Sequence, residues 1–348
     1  MADFTRILDE LKNYDGKELC FMEVCGTHTA AIAENGIPSL LSPGIRLISG
    51  PGCPVCVTVA EYIDRLIELS VEPGTVVVSF GDMMKVRGSQ KSLGEAVCDG
   101  GRVQMVYSPF EVLDMARQNP DTKYVFAAVG FETTTPIYAM LLDEAIRQNI
   151  GNVRILSALK TMPAVIDRIC ADKDRRIDGF IAPGHVSVIT GSKIYESLAA
   201  KYNLPFVVAG FEARQLMMAI YTLMKLNHRP VVKNMYPRAV SYEGNNKAKE
   251  LVKKYFEVSD SAWRGLGIIP CSGLVLRSEY NKYDAGSSGL YEDKIADGKC
   301  CCAQVITGKI MPTQCPNYGT ECTPQNPQGA CMVSAEGACH NYYINIRG

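Results

Sequence analysis

The sequence predicts an α/β protein in which two parallel-sheet domains are followed by a small cysteine-rich domain. Three observations support this prediction. Apolar, strand-like segments alternate with helix-length segments over the first two thirds of the chain, four of the strand-like segments are followed by glycine, and seven of the 14 cysteines lie in the last 49 of the 348 residues. Alternating strands and helices with near-continuous apolar strands indicate parallel sheets that helices cover on both faces.

The first predicted element is a helix over residues 3–14, where Phe4, Ile7, Leu8 and Leu11 recur at helical spacing. Eight strand-like segments follow, at 19–24, 45–49, 75–80, 103–107, 124–129, 153–158, 179–182 and 206–209. The segments between them predict helices at 58–70, 109–118, 134–149, 191–202 and 212–227.

Two turn-rich stretches divide the predicted domains, one at 119–123 and one at 228–247, before a charged helix at 247–257. After about residue 265, Gly and Pro become frequent and apolar periodicity fades, so this part needs another source of cohesion, such as a metal site. We therefore expect an α/β domain over 1–120, a second α/β domain over 121–240 and a C-terminal domain over 241–348.

The charge balance excludes some partners. With 36 Lys and Arg against 37 Asp and Glu, the chain gives no electrostatic reason to bind nucleic acid or an anionic membrane surface. The N-terminus has no basic and apolar signal, and no apolar run reaches the roughly 18–20 residues of a membrane span. We expect a cytoplasmic protein, in which regularly spaced cysteines are more often metal-binding or redox-active than disulfide-bonded.

The C-terminal cysteines have the spacing of a metal site. Cys302, Cys315, Cys322 and Cys339 give C-x12-C-x6-C-x16-C, with four thiols from four separate loop positions. Soft sulfur ligands suit zinc or an iron–sulfur cluster. Because paired zinc knuckles are absent and the spacing is wide, the pattern favours a [4Fe-4S] cluster over zinc or free buried cysteines. Spacing alone does not choose among the triplet Cys300–Cys302, and it leaves Cys331 unassigned.

A second thiol motif, Cys53-Pro-Val-Cys56, lies between a predicted strand and the helix predicted at 58–70. A helix N-terminus lowers thiol pKa values, so this position favours a dithiol/disulfide couple. Half of a zinc site and a pair of core cysteines are the alternatives. We expect four further cysteines to be core residues, namely Cys20, Cys98, Cys170 and Cys271.

Polar residues follow several predicted strands. Cys25 and His28, three residues apart, are predicted to form a nucleophile and base pair or to ligate one metal. Glu132 and His185 follow equivalent strands and are expected to line the cleft between the first two domains, and Asp82 is a weaker candidate. A Glu that caps the following helix and a His satisfied by backbone are the alternatives.

Signatures of several common chemistries are absent. The sequence contains no phosphate-binding loop, dinucleotide fingerprint, serine nucleophile elbow or H-E-x-x-H zinc motif. Nucleotide-driven chemistry and serine hydrolysis are therefore disfavoured.

Taken together, the motifs resemble the HypD family of hydrogenase maturation proteins. The segments that carry the resemblance are Cys-Gly-Thr-His (25–28), Gly-Pro-Gly-Cys-Pro-Val-Cys (50–56), Gly-Phe-Glu-Thr-Thr (130–134), Pro-Gly-His-Val-Ser (183–187), Trp-Arg-Gly-Leu-Gly-Ile-Ile-Pro (263–270) and the cysteine-rich run at 322–339.

The resemblance implies two α/β domains, a third domain with a [4Fe-4S] cluster, and a scaffold on which the Fe(CN)2(CO) group of [NiFe]-hydrogenase is assembled. It implies no clear stand-alone turnover reaction. The implied partners are the small chaperone HypC, which shares the iron, and HypE, which delivers cyanide. Cys25 would bind the iron with His28 close by, Cys53 and Cys56 would form a redox couple, and the cluster would relay electrons.

The sequence departs from the family pattern at the first cluster cysteine, because Ala303 replaces a glycine. That departure leaves Cys300 as an alternative to Cys302. Glu336 matches the family and is expected to give local polar support. An iron–sulfur-dependent protein disulfide reductase and a zinc-stabilised binding module are the rival functions.

Overall fold

The computed structural model describes residues 4–172, 176–294 and 300–345. Within these residues the chain is an α/β protein with two sheets, which confirms the predicted fold class at that level. The strands are β1 Leu19–Glu23, β2 Ile45–Ser49, β3 Thr75–Ser79, β4 Val103–Met105, β5 Lys123–Gly130, β6 Val153–Lys160, β7 Gly179–Ala182, β8 Phe206–Val208, β9 Val232–Asn234, β10 Phe256–Trp263 and β11 Gly267–Leu276.

Helices connect these strands and form the C-terminal segment. They are α1 Phe4–Lys12, α2 Gly26–Glu34, α3 Ala60–Val71, α4 Leu93–Cys98, α5 Glu111–Gln118, α6 Thr135–Arg147, α7 Met162–Cys170, α8 Gly184–Thr190, α9 Glu196–Tyr202, α10 Ala213–Leu226, α11 Asn246–Tyr255, α12 Cys302–Ile306, α13 Ala330–Val333 and α14 Ala338–Asn345. Short 3-10 helices lie at Ile37–Leu40, Gly81–Lys85, Lys193–Tyr195, Ser278–Tyr283 and Pro312–Gln314. In the parts of the chain that the structure describes, no helix is long and apolar enough to cross a membrane.

The five-stranded sheet has the order β2-β1-β7-β8-β9, and all of its strand pairs are parallel. Met22 of β1 pairs with Ile48 of β2 on one side and with Phe180 of β7 on the other. Every residue of β1, β7 and β8 is buried. These strands are therefore the near-continuous apolar runs that the sequence shows, as expected for a parallel sheet covered on both faces.

The six-stranded sheet has the order β10-β11-β6-β5-β3-β4 and is mixed. Strands β6, β5, β3 and β4 are parallel, whereas β11 runs antiparallel to both β6 and β10. The sequence analysis missed β9, β10 and β11. Both β10 and β11 mix buried and exposed residues without a regular alternation, and β10 begins at Phe256 directly after α11 ends at Tyr255, with no turn residues to signal the change.

The two sheets are interleaved along the chain. Residues 1–120 contribute β1 and β2 to the five-stranded sheet but β3 and β4 to the six-stranded one, and residues 121–240 are divided in the same way. The expected boundaries near 120 and 240 therefore do not separate the sheets. The chain passes between them three times, at 50–74, 161–178 and 235–255.

One hydrophobic cluster joins both sheets to the C-terminal segment. It includes Met22 of β1, Phe131 just after β5, Trp263 at the end of β10 and Cys331 of α13. The rings of Phe131 and Trp263 stack with centroids 5.8 Å apart. Because the residues that follow β1, β2, β5, β7 and β8 meet around this cluster, the carboxyl edges of the two sheets form a common site.

Candidate functional site

Cys25 lies where two loops interlock. It follows β1 and is the N-cap residue of α2, with an extended backbone. The Gly26 N–H donates to the Gly52 carbonyl at 3.0 Å, and a Cβ on Gly52 would lie only 2.3 Å from the Cys25 nitrogen. The loop after β2 therefore lies directly on the Cys25 backbone, and this close approach requires glycine at position 52. It also brings Cys53 to the same place.

A buried carboxyl group that was not among the predicted site residues accepts a hydrogen bond from the Cys25 backbone. Glu23, the last residue of β1, is 3% exposed, and burial raises its pKa to about 7. Its Oε2 accepts the Cys25 backbone N–H at 2.9 Å, and its Oε1 accepts the Thr29 hydroxyl at 2.5 Å. A glutamate inside an otherwise apolar strand was the available signal, because a buried carboxyl group needs partners.

The Cys25 thiol is held in its neutral form. Burial raises its pKa to about 12, although the backbone N–H groups of His28 and Thr27 favour the thiolate. Glu23 and Glu336 raise the pKa further. At neutral pH a metal ion must therefore displace a proton to bind this sulfur.

His28 is a neutral acceptor in the interior. Burial lowers its pKa to about 4. Its Nε2 lies 3.1 Å from the Gly210 carbonyl, so this nitrogen carries the proton and donates it there. Nδ1 is buried without a hydrogen-bond partner among the described residues. The imidazole thus bonds Gly210 rather than Cys25, and its free nitrogen is a lone-pair acceptor.

His185 lies on the same aromatic ring as His28. The Phe211 ring centroid is 4.0 Å from that of His185, in a stacked arrangement, and 4.9 Å from that of His28. His185 is exposed, whereas His28 is fully buried. Phe211 therefore joins an outer and an inner imidazole, and sequence analysis had assigned this phenylalanine no role.

Glu132 carries the second buried polar atom that has no hydrogen-bond partner among the described residues. Its Oε1 accepts the Met162 N–H at 2.8 Å, so it caps α7 rather than the helix that follows it. Its Oε2 is buried, and among the described residues only this atom and His28 Nδ1 are buried side-chain nitrogen or oxygen atoms without a partner. Burial raises the Glu132 pKa to about 7. Burial raises the pKa of Tyr195, and Glu132 and Cys25 add to this effect.

Cys53 and Cys56 are buried, at 4% and 1% exposure. The Cys56 N–H donates to the Cys53 sulfur at 3.2 Å, so the motif forms a tight turn. The expected helix N-terminus is wrong, because α3 begins only at Ala60. Burial raises the pKa of the Cys56 thiol well above its ordinary value, with further contributions from the Cys331 and Cys53 thiols.

Cys331 is the principal residue that sequence analysis left unassigned. Its sulfur accepts the Cys339 N–H at 3.2 Å. The neighbouring thiols of Cys302, Cys339 and Cys56 all shift the pKa of its thiol. Cys331 therefore connects the Cys53–Cys56 turn to the C-terminal cysteines. No spacing rule could have indicated this, since the contacts come from segments far apart in the chain.

The other C-terminal thiols lie close to one another. Cys322 interacts with Cys300 and Cys315, and Cys339 interacts with Cys300, Cys302 and Cys322. The Cys322 sulfur also accepts the Gln328 N–H at 3.4 Å. Among the described residues, no three or more His, Cys, Asp or Glu side chains are arranged to hold a single metal ion.

Glu336 joins the cysteine-rich segment to α2. Its Oε1 accepts the Thr27 hydroxyl at 3.1 Å, and a Cβ on Gly26 would lie 2.4 Å from the Glu336 Cβ. Burial raises the Glu336 pKa, and Asp82 adds to this effect. The expected local support is therefore directed at the helix that begins beside Cys25.

The remaining cysteines do not all behave as expected. Cys20 is buried and Cys170 is half-buried, but Cys98 and Cys271 are exposed, so the expectation of core positions for these two is wrong. Cys98 ends α4 and Cys271 lies in β11, at the outer part of the six-stranded sheet. Both positions are away from the thiols that meet around Cys331.

The fold and the site define an α/β protein whose centre is built of thiols. A family model described as "HypD: Hydrogenase formation hypA family" matches residues 2–345. The chain is 39% identical to "Hydrogenase maturation factor HypD" of Rhodobacter capsulatus over 355 residues, covering 99% of this chain and 93% of that protein.

Two further relatives carry the same name. The chain is 42% identical to the HypD of Azotobacter vinelandii over 333 residues, covering 92% of this chain and 88% of the relative. It is 39% identical to the HypD of Cupriavidus necator over 340 residues, covering 94% and 90%. The chain therefore belongs to the HypD family of hydrogenase maturation factors, as the sequence motifs predicted.

Proposed function

We propose that this chain is the scaffold on which the Fe(CN)2(CO) group of [NiFe]-hydrogenase is assembled. It works in the cytoplasm with a HypC-like small chaperone that shares the iron and a HypE-like protein that delivers cyanide. The observation that supports this most is a set of buried groups just after two strands: the neutral Cys25 thiol after β1, and two polar atoms without a partner among the described residues, His28 Nδ1 in α2 and Glu132 Oε2 after β5.

Cys25 is suited to hold the iron as a substrate. Its thiolate is a soft donor, and low-spin iron with cyanide and CO ligands prefers such donors. Because the thiol is neutral until the metal arrives, iron binding is coupled to loss of one proton from Cys25. Burial of the sulfur keeps bulk water away from the bound iron.

His28 and Glu132 are suited to position ligands on that iron. The Nδ1 lone pair of neutral His28 accepts a hydrogen bond from water or a protonated ligand. Glu132, with its pKa near 7, is able to hold or release a proton at Oε2 while Oε1 stays bonded to Met162. Each side chain is thus held by one hydrogen bond, through His28 Nε2 or Glu132 Oε1, and its other polar atom, His28 Nδ1 or Glu132 Oε2, is available to a ligand.

The C-terminal thiols have the donor chemistry of an iron–sulfur cluster. Cys315, Cys322 and Cys339 supply three ligands, as the spacing predicted. We take Cys300 as the fourth, because both Cys322 and Cys339 interact with it, whereas Cys302 interacts with Cys339. A [4Fe-4S] cluster takes one thiolate on each iron, so its ligands need not converge on a single point, and when bound it supplies single electrons.

The remaining thiols are suited to two-electron chemistry. Cys53 and Cys56, whose backbone and sulfur already touch, form a disulfide by giving up two electrons and two protons. Cys331 contacts Cys56 on one side and Cys302 on the other, so sulfur atoms continue from the turn to the C-terminal segment. This continuity supports a redox role for the turn beside Cys25.

The rival function, reduction of protein disulfides, is less well supported. Such an enzyme must present one sulfur to a protein substrate. Cys53 and Cys56 are 4% and 1% exposed, and Cys25 is 8% exposed. These sulfurs suit a small ligand carried on iron better than a protein disulfide.

Infrared spectroscopy tests the assembly role. The chain is purified anaerobically together with its HypC-like chaperone, and the cyanide and CO stretching bands are recorded. We expect bands in the wild-type complex that disappear in Cys25→Ala and persist in Cys98→Ala, the exposed matched control. Absence of the bands from the wild-type complex would contradict the proposal.

A further inference from the structure

Lys160 is a buried cation that no role proposed above uses. It is the last residue of β6 and is 2% exposed. Its Nζ donates to the Ser261 hydroxyl at 2.9 Å and to the Ala262 carbonyl at 2.6 Å, and it lies 5.5 Å from the centre of the Trp263 ring. None of these partners carries a negative charge.

A second buried cation lies nearby. Arg264, also 2% exposed, donates from Nε to the Thr58 carbonyl at 2.8 Å. Asp293 is the carboxylate that serves both cations, with Oδ1 3.8 Å from Arg264 Nε and an electrostatic effect on Lys160. That Oδ1 also accepts the Ala60 N–H at 3.1 Å. Two buried basic groups therefore share one carboxylate, although an uncompensated buried charge costs several kcal/mol.

One of these two basic groups lies beside a cavity. Lys160 borders a cavity of about 50 Å³. The hydroxyls of three lining residues, Thr58, Ser157 and Ser287, already donate elsewhere, and three further serines line the cavity, namely Ser259, Ser261 and Ser288. The Ser261 hydroxyl accepts from Lys160 and so retains its own proton to donate. The space is larger than one water requires and suits a molecule of about three or four heavy atoms.

The lining also limits the charge of an occupant. Asp260 borders the cavity and is exposed, with its Oδ1 accepting the Cys271 N–H at 3.0 Å. A carboxylate at this position repels a second anionic group, and repulsion grows with the charge of the ligand. The combination of one ammonium, several hydroxyls and one carboxylate therefore favours a monoanion over a dianion such as sulfate.

We propose that this cavity is a binding site for a small monovalent oxyanion of the carboxylate class, held by the Lys160 ammonium and the Ser261 hydroxyl. Formate has the size and charge that the cavity accepts. The lining of the cavity does not include Cys25, His28 or Glu132, so the site stands or falls independently of the assembly role. Burial lowers the Lys160 pKa to about 7, and a bound anion offsets this by stabilising the ammonium form.

Thermal unfolding of the full chain under anaerobic conditions tests the site. Sodium formate is titrated at constant ionic strength against sodium gluconate, whose anion is too large for the cavity. We expect a saturable rise in the unfolding midpoint of the wild type and of Lys193→Met, which changes an exposed lysine paired with Glu243. Lys160→Met keeps the length of the side chain and loses the response.

Two results overturn the proposal: a wild type with no saturable response to formate, or a Lys160→Met variant that responds as the wild type does. Ser261→Ala provides a second arm if Lys160→Met does not fold, since it removes only a hydroxyl. We expect it to raise the half-saturating formate concentration by about tenfold, the value of one hydrogen bond to a charged group. An unchanged concentration in that variant also counts against the site.

Discussion

The Cys331 thiol lies beside the Cys56 thiol, and each shifts the pKa of the other. The contact joins α13 to the turn that follows β2, two segments with no local connection in the chain. The Cys56 sulfur also lies 3.6 Å from the Ala330 carbonyl, so the whole start of α13 packs on this turn. Cys331 therefore lies between the Cys53–Cys56 pair and the other C-terminal thiols.

The first prediction concerns Cys331→Ser. Serine preserves the shape of the residue but forms no mixed disulfide, so we expect dithionite to reduce the Cys53–Cys56 disulfide at least about tenfold more slowly, which corresponds to about 1.4 kcal/mol in the barrier. Iron and acid-labile sulfide stay at the wild-type level. Timed alkylation and mass spectrometry follow the reduction, and the exposed Cys98→Ser is the control. An unchanged rate would remove Cys331 from the path.

The second prediction compares Cys300→Ser with Cys302→Ser. Because both Cys322 and Cys339 interact with Cys300, whereas Cys302 interacts with Cys339 and Cys331, we expect the first variant to lose at least half of its iron and acid-labile sulfide. The second variant keeps both but reduces the Cys53–Cys56 disulfide slowly. Chemical analysis of anaerobically purified protein gives the answer. The reverse result would restore Cys302 as the fourth ligand, as spacing alone predicted.

The third prediction concerns the close approach at Cys25. A Cβ at Gly52 meets the Cys25 backbone at 2.3 Å, and backbone does not move aside as a flexible side chain does. We expect Gly52→Ala to lower the free energy of unfolding by about 3 kcal/mol or more. Gly151→Ala, where a Cβ meets nothing within 4 Å, should change it by no more than about 0.5 kcal/mol. Urea unfolding measures both, and equal effects would mean that the two loops are not locked together.

The fourth prediction uses the pH dependence of stability. The Glu132 pKa is raised from 4.5 to about 7, so between these values the folded chain holds a proton that the unfolded chain loses. Stability of the wild type therefore falls as pH rises through this window, by up to about 3 kcal/mol. Glu132→Gln keeps an acceptor for Met162 and does not titrate.

Comparing the wild type with Glu132→Gln isolates the contribution of the Glu132 carboxyl group to the pH dependence of stability. Wild type and Glu132→Gln should be about equally stable near pH 4.5, and the variant should be the more stable above pH 7. Glu23 has a similarly raised pKa but is present in both proteins, so its effect cancels in the difference. Parallel stability curves over this range would show that the Glu132 carboxyl is not enclosed as described.

The strand-end residues show what sequence could predict. Buried parallel strands such as β1 and β7 have an unmistakable apolar composition, and the carboxyl ends of parallel strands meet at one edge. Cys25 and Glu132 could therefore be expected at a site from their positions along the chain. The pairing of β1 with β7, more than 100 residues later, could not, because strand order depends on long-range contacts that leave no local pattern.

The thiols show which features of the site could not be predicted from the sequence. The motif Cys53-Pro-Val-Cys56 was recognised, but its pKa argument relied on a helix that begins only at Ala60, after the motif has ended. Burial, a property of the whole fold, governs the Cys56 thiol instead. Cys331 could not be assigned from the sequence, because packing of α13 against the Cys53–Cys56 turn brings its partners together.

The interleaving of the two sheets has a consequence for synthesis on the ribosome. When β1 and β2 emerge, the neighbour of β1 on its other side, β7, is still more than 100 residues from being made. Until most of the second sheet has been translated, the edge of β1 that pairs with β7 stays unpaired. The second sheet must wait in turn for β11, which covers β6. The five-stranded sheet is complete once β9 has been made, before β10 and β11, and the thiol centre forms last because it needs Cys331 and Cys339 near the end of the chain.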